Sequence, residues 1–422
     1  MMKKVRRVYK MTELGAMPID WNIMKLRDVI KEFIVPMRDK PKNFSGSIPW
    51  CRIEDIEGKY LNDSKSCQYV NEETIKKMKL RIHPIGTVIC SCSASLGVYA
   101  IVTRPLTTNQ TFIGLFPTEL VCSDYLYYTM NNSTVRLRNI ASGTTILYIS
   151  REKFEEFTIF IPPIIEQQKI ADIISTVDER IENIESLIEK TDELKKGLMQ
   201  RLLTKGIGHD RFKDTEIGKI PEAWKEEKIK NLSSFCSNGF VGTASPFYTD
   251  DNEATPYLMS NNVRANKIDE RNVVKIKKEF KQRYPRSTIY EGDMLTVQSG
   301  HIGTSCIVPE KYNNTNCHAL IITRFNEAEI APLFISYYIN SYLGLSRLSN
   351  IFVGTTIKHI NVKDLIQFYV PVPDLNEQKQ ISLILSSVDE KINQYKSKKE
   401  KLQELKRGLM QKLLTGKIRV KV

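Results

Sequence analysis

The chain has too few cysteines, spaced too irregularly, for a disulfide framework or a cysteine-built zinc site. Eight cysteines are spread over 422 residues, and no Cys-x-x-Cys occurs. Disulfide scaffolds are denser in cysteine, and zinc sites need paired ligands at short spacing. A reduced, cytosolic protein is the simple expectation. Cys90 and Cys92 would turn to one face of a predicted strand, but no second pair accompanies them. The histidines His83, His209, His301, His318 and His359 are scattered. No metal site is expected.

Long apolar runs are missing as well. No stretch of eighteen apolar residues exists, so no membrane span is expected. Lys3, Lys4, Arg6, Arg7 and Lys10 are followed by no apolar core, so no secretory signal is expected. There is no Gly-x4-Gly-Lys-Ser/Thr phosphate loop, and no Gly-x-Gly loop follows a predicted strand. Adenine methyltransferases place Asn or Asp before Pro-Pro-Tyr/Phe, whereas Pro162-Pro163 lies between Ile161 and Ile164. One nuclease-like string remains, Asp374…Glu377…Lys379. Two carboxylates three residues apart at a helix start are better explained as capping and dipole partners. We therefore expect no catalytic residue and no cofactor.

What the chain does have is a repeat. Glu166–Thr204 returns as Glu377–Thr415 at a constant offset of 211 residues, with Asp178-Glu179 on Asp389-Glu390 and Gly197-Leu198-Met199-Gln200 on Gly408-Leu409-Met410-Gln411. In the first copy Ile170, Ile174, Val177, Ile181, Ile184 and Ile188 fall at alternating steps of four and three. In the second, Ile381, Leu385, Val388, Ile392 and Tyr395 do so, followed by Leu402, Leu405, Leu409 and Leu413. This is a heptad seam, which needs a partner helix to cover it. Each helix would span roughly 57 Å. Prolines precede each start, and Gly206 and Gly416 supply each stop.

The two helices differ in charge. Glu166–Lys205 carries −2 and Glu377–Lys417 carries +5, which favours pairing with each other over self-pairing. Taken from the total of +13, they leave +10 on the rest. Such an excess is the footprint of a nucleic-acid binder.

The repetition reaches beyond the helices. Thr12–Trp21 returns as Thr215–Trp224, and Gly143-Thr144-Thr145-Ile146 as Gly354-Thr355-Thr356-Ile357. Short predicted strands (Val88–Cys90, Val98–Val102; Met294–Val297, Thr304–Val308) precede helical patterns at Thr118–Asn131 and Pro332–Ser346. Strands at Phe157–Ile161 and Ile366–Val372 lead into each long helix. The fold class is α+β: two globular domains joined by two long antiparallel helices as a coiled coil, a pseudo-twofold tandem repeat. Its pieces are a first domain over 1–163, a helix over 164–205, a linker and second domain over 206–373, and a second helix with tail over 374–422. The second helix can pair with the first only by running back, giving a dumbbell whose C-terminus comes near its N-terminus.

These features resemble the DNA-specificity subunit of type I restriction–modification systems over nearly the whole chain. The marks are Glu13-Leu14-Gly15…Pro18…Trp21 and Glu216-Ile217-Gly218…Pro221…Trp224, then Pro162-Pro163…Glu166-Gln167-Gln168-Lys169-Ile170 and Pro371…Pro373…Glu377-Gln378-Lys379-Gln380-Ile381, and the Gly-Leu-Met-Gln…Leu-Leu-Thr helix ends. The resemblance implies that each variable domain is a target-recognition domain for half of a split DNA site. It implies conserved helices that set the spacing and dock two adenine methyltransferase subunits, with restriction (translocase/nuclease) subunits joining that core. It also implies a cytoplasmic subunit with no catalysis of its own. S-adenosylmethionine, Mg²⁺ and ATP would belong to those partners.

A dimeric reader of B-DNA sets half-site centres about 34–36 Å apart, a separation the helix pair can hold. Unlike domains should read unlike halves, so the site should be asymmetric. Basic and amide side chains suit guanine, adenine or phosphate. The expected contacts in the first unit are Arg38, Lys40, Lys42, Asn43, Ser93, Ser95, Arg104, Asn109, Gln110, Thr144 and Thr145. In the second they are Asn261, Asn262, Arg264, Arg283, Arg286, Ser299, His301, Thr355, Thr356 and Lys358. Trp21 and Trp224 read as core. Met199, Gln200, Met410 and Gln411 are the expected partner contacts on the helices. Two rival functions are a stand-alone metal-dependent nuclease and a purely structural coiled-coil adaptor.

Overall fold

The computed structural model describes residues 9–36, 40–352 and 358–421. The chain forms two compact units, Met1–Glu185 with Ser397–Val422, and Ser186–Lys396. The boundary falls inside both long helices, so each unit holds half of each.

The first unit is built on five strands, β1 (Ile30–Ile34), β2 (Tyr60–Leu61), β3 (Val88–Ser91), β4 (Tyr99–Val102) and β5 (Phe112–Pro117), in the order β1-β5-β3-β4-β2. The β3–β4 hairpin is antiparallel, as its sequence predicts. Both of its strands are buried throughout, because the helix α1 (Ser123–Asn132) covers one face while Cys51, at the end of the strand Ile48–Cys51, covers the other with Ile56 and Leu106. A three-stranded sheet, Thr107–Thr108 with Ile48–Cys51 and Tyr69–Val70, stands beside it. The strand Thr158–Ile161 pairs with Asn22–Lys25 and delivers the chain to the long helix α2 (Ile164–Lys205).

The second unit repeats the plan with β6 (Ser233–Asn238), β7 (Met294–Val297), β8 (Ser305–Ile307) and β9 (Leu320–Phe325), all antiparallel in the order β6-β9-β7-β8. Its side sheet has four strands, one more than its counterpart. The helical pattern predicted over 332–346 breaks into α3 (Pro332–Asn340) and a second helix, Tyr342–Ser349. Ser341 makes the break: its Oγ donates to the Tyr338 carbonyl and accepts from Gly344 N, capping the second helix. The strand Tyr369–Val372 pairs with Lys225–Lys228 and leads into α4 (Leu375–Leu413).

In both units the long helices pair antiparallel. In the first, Asp178 meets Lys406 at 2.6 Å and Glu185 meets Lys399 at 2.7 Å, so the numbering rises on α2 as it falls on α4. Ile170 and Ile174 share a core with Met410 and Leu413. In the second, Leu202 and Leu203 share a core with Ile381 and Leu385. The opposite charge balances thus appear as ion pairs between helices. Within the first unit the segment after α4 lies against the strand Tyr9–Thr12, with Tyr9 Oη donating to the Gly416 carbonyl at 3.0 Å.

One part of the expected seam is corrected. Leu405 is 50% exposed, and its repeat mate Leu194 is 56% exposed. The seam runs through Leu402, Lys406, Leu409 and Leu413, and through Thr191, Lys195, Leu198 and Leu202, all at least half-buried. The step after Leu402 is four residues rather than three, so a lysine takes the position that composition assigns to leucine.

Candidate nucleic-acid interface and its framework

Each domain is fastened to its helix by the same set of bonds. Trp21 Nε1 donates to Glu166 at 3.0 Å, and Trp224 Nε1 donates to Glu377 at 2.9 Å. Gln167 and Gln378, both fully buried, accept from Cys122 N and Ala331 N and donate to Pro162 O and Pro373 O. The motif Glu-Gln at each helix start is therefore a plug that satisfies loop backbone which would otherwise be buried unpaired. The Asp374 carboxylate caps α4 by accepting from Asn376 N and Glu377 N. Glu377 does more than favour the helix dipole, since it also accepts from Ile207 N and faces His209 Nε2 at 3.0 Å. In the first unit a guanidinium replaces that imidazole: Arg419 bonds Glu166 at 2.6 and 2.8 Å and Asp20 at 2.8 and 2.6 Å. The stop glycines acquire a second reason here. A Cβ on Gly206 would sit 2.4 Å from Glu377 Oε1, and one on Gly416 2.5 Å from Pro18 Cδ.

The expected contact residues fall into two places in each domain. In the first, the turn after β3 meets the loop 141–149: Ala94 N donates to Leu147 O at 3.1 Å and Ile149 N to Cys92 O at 2.8 Å. This gathers Ser93, Ser95, Thr144 and Thr145, with Gln110 adjacent through its carbonyl contact to Cys92 Sγ and Asn109 beside it. Gly143 is obligatory in that loop, because at φ +102° its Cβ would lie 2.2 Å from Ile146 O. Ile146, Leu147 and Tyr148 are exposed at the same tip, a feature composition did not flag. Lys40, Lys42, Asn43 and Arg104 lie instead around the side sheet: Lys40 stacks over Phe44 and Trp50, and Arg104 donates to Ser47 O at 2.6 Å. Arg38 lies outside the described residues.

In the second domain, Ser299 bridges to His359, Ile360 N donates to Gln298 O, and His301 Nε2 lies 3.2 Å from Val263 O. Ser299, His301, Arg264 and Lys358 are thereby neighbours, joined by Asn238, which accepts from Gln298 Nε2. Asn238 ends β6 at an Asn-Gly pair, a local turn signal that says nothing of Gln298, 60 residues further on. Arg283 lies over Phe247 and Tyr284, with Arg286 exposed three residues on. Asn261 is exposed, but Asn262 is buried, with Oδ1 accepting from Met259 N and Nδ2 donating to Asp269 O. It shapes the turn, as Asp55 does in the first unit, and is turned away from solvent. Thr355 and Thr356 lie outside the described residues.

On the helices Gln200 and Gln411 are exposed and Met199 is half-buried, while Met410 is buried in the first core. The twice-repeated exposed apolar positions are Leu194 with Leu405 and Ile173 with Ile384. Seven of the eight cysteines are buried or half-buried and Cys67 is exposed, and burial pushes the Cys92 thiol up to about 11. Among the described residues no group of three His, Cys, Asp or Glu side chains could hold a metal ion, and no helix is long and apolar enough to cross a membrane.

Two framework-matched domains with unlike polar loops, mounted on paired helices, define a tandem recognition protein. The family described as type I restriction modification DNA specificity domain matches residues 18–193 and again 212–407, and the chain belongs to that family. It is a specificity subunit, not a catalytic one. The type I restriction enzyme MjaVIII specificity subunit of Methanocaldococcus jannaschii is 27% identical over 424 residues, covering 96% of this chain and 94% of that one. The putative type I restriction enzyme MjaX specificity subunit of the same organism is 28% identical, covering 98% and 97%. The fold is shared with the crystal structure of the type I restriction–modification S subunit from M. genitalium, with a TM-score of 0.59, 16% identity and coverage of 94% and 96%.

Proposed function

We propose that each domain reads one half of an asymmetric, split DNA site in the cytoplasm, and that the helix pair sets the spacing and docks two adenine methyltransferase subunits. Restriction subunits then join that core. The observation that carries this reading is repetition of the framework with loops that repeat at Gly143–Ile146 and Gly354–Ile357 and otherwise differ. The Trp–Glu and Gln plugs recur almost bond for bond, whereas Leu147-Tyr148 stands where Lys358-His359 stands in the second unit. A shared scaffold with unlike tips suits two readers of different sequences. The reading faces are the two loop clusters, Ser93, Ser95, Asn109, Gln110, Thr144 and Thr145 in the first domain and Arg264, Ser299, His301 and Lys358 in the second. Asn, Gln and Arg there supply adenine and guanine partners, and the small hydroxyl residues approach phosphate. Lys40, Lys42, Asn43, Arg104, Asn261, Arg283 and Arg286 serve the flanking backbone. Partners dock at Leu194, Met199 and Gln200, and again at Leu405 and Gln411.

The test is co-expression with the methyltransferase subunit, followed by mapping of methylated adenines in host DNA. A two-part motif with a fixed gap is expected. Methylation without a motif, or plasmid cleavage by the pure chain with Mg²⁺ alone, would rule this function out.

A further inference from the structure

One carboxylate on each long helix collects a side chain from the domain and a side chain from the other helix. Tyr128, from α1, donates its hydroxyl to Asp178 on α2 at 2.9 Å, and Lys406 on α4 reaches the same carboxylate at 2.6 Å. In the second unit Tyr337, from α3, donates to Asp389 on α4 at 2.8 Å, and Lys195 on α2 reaches it at 2.6 Å. The lysine also lies 5.9 Å from the tyrosine ring centroid in both. Both tyrosines are almost wholly buried, so their hydroxyls must be satisfied inside the protein. Both lysines occupy the heptad position from which Leu194 and Leu405 are turned out. A paired charge at such a position contributes little net stability compared with leucine, yet it admits only one register.

We propose that Asp178 and Asp389 are positioning residues that fix the seat of each recognition domain on the helix pair, and so limit the half-site arrangements the subunit accepts. The inference rests on the function proposed above. A domain held only by apolar packing could rock on its helix, because packing is tolerant of small shifts. A tyrosine hydroxyl and an ammonium converging on two oxygens of one carboxylate is not, because hydrogen bonds weaken steeply with angle. The geometry is kept in both units although their loops are unlike, which ties it to mounting rather than to base choice.

The experiment uses the full chain co-expressed with the methyltransferase subunit, reading methylated adenines in the host DNA. Tyr128→Phe cuts the domain link and keeps the ion pair; Asp178→Asn removes the charge and keeps the shape. Each is expected to raise methylation about tenfold at sites with altered spacing, leaving the base choice at both half-sites as strict as in the parent. Tyr337→Phe and Asp389→Asn should do the same from the second unit, and Lys406→Arg should retain the parent pattern. Variants that methylate the parent's sites at unchanged spacing, even at lower yield, would show the carboxylates to be merely structural and overturn the inference. A parent that yields no split motif would instead strike the function itself.

Discussion

Lys406 Nζ lies 2.6 Å from Asp178 Oδ1, and at the matching repeat positions Lys195 Nζ lies 2.6 Å from Asp389 Oδ1. Each helix thus supplies the acid in one unit and the base in the other. Reversing one partner, as in Lys406→Glu, places like charges across the pair. The lysine is 24% exposed, so solvent screens the interaction and the expected loss is about 1 kcal/mol. Urea unfolding of Lys406→Glu, Asp178→Lys and the double exchange measures it. The double variant should recover part of the loss, since Tyr128 has lost its carboxylate acceptor; strict additivity would show the pair to be uncoupled.

Arg419 should matter far more than its place near the chain end suggests. It is the only cation bonded to the fully buried Glu166 among the described residues. Arg419→Met leaves that carboxylate with the Trp21 indole alone, at a cost of about 3–5 kcal/mol. A denaturation midpoint within a few tenths of a molar of the parent's would contradict this.

Acid should loosen the first unit before carboxylates titrate. His83 is buried, with Nε2 2.9 Å from Thr108 Oγ1 and no partner at Nδ1, and burial, aided by Arg81, lowers its pKa from 6.5 to about 4. The unfolded chain takes the proton at higher pH than the folded one does. Stability is therefore complete above about 6.5 and falls between there and about 4, by about 3 kcal/mol. Thermal melts of the parent across this window, set against His83→Gln, give the test: the slope should flatten in the variant.

DNA binding should depend steeply on salt, because phosphate neutralisation releases counterions. Lys358→Ala and Arg286→Ala should each reduce the log–log salt slope by about 1. Gln110→Ala should change the preferred half-site and leave the slope alone. Fluorescence anisotropy of the methyltransferase complex at several salt concentrations separates the two behaviours.

The long helices, their pairing partner and the tandem plan were legible in the sequence because each is a periodic or repeated signal. A heptad needs a cover, and opposite charge balances choose it. The Trp and Glu-Gln motifs were legible as landmarks but not as plugs, since Trp21 and Glu166 are 145 residues apart and meet only after folding. The seam near the end of α4 departs from the expected one because Leu402-Leu405 and Leu402-Lys406 both fit helical spacing. Only the carboxylate and tyrosine waiting across the interface select the lysine. The contact loops behave likewise: composition marks them as polar, and tertiary contacts decide that Asn262 turns inward while Ser93, Ser95 and Thr144 share one tip. Order along the chain settled the architecture by itself, because periodicity is local and additive. Which polar groups face solvent is set by distant partners competing for the same hydrogen bonds, and that only the folded chain resolves.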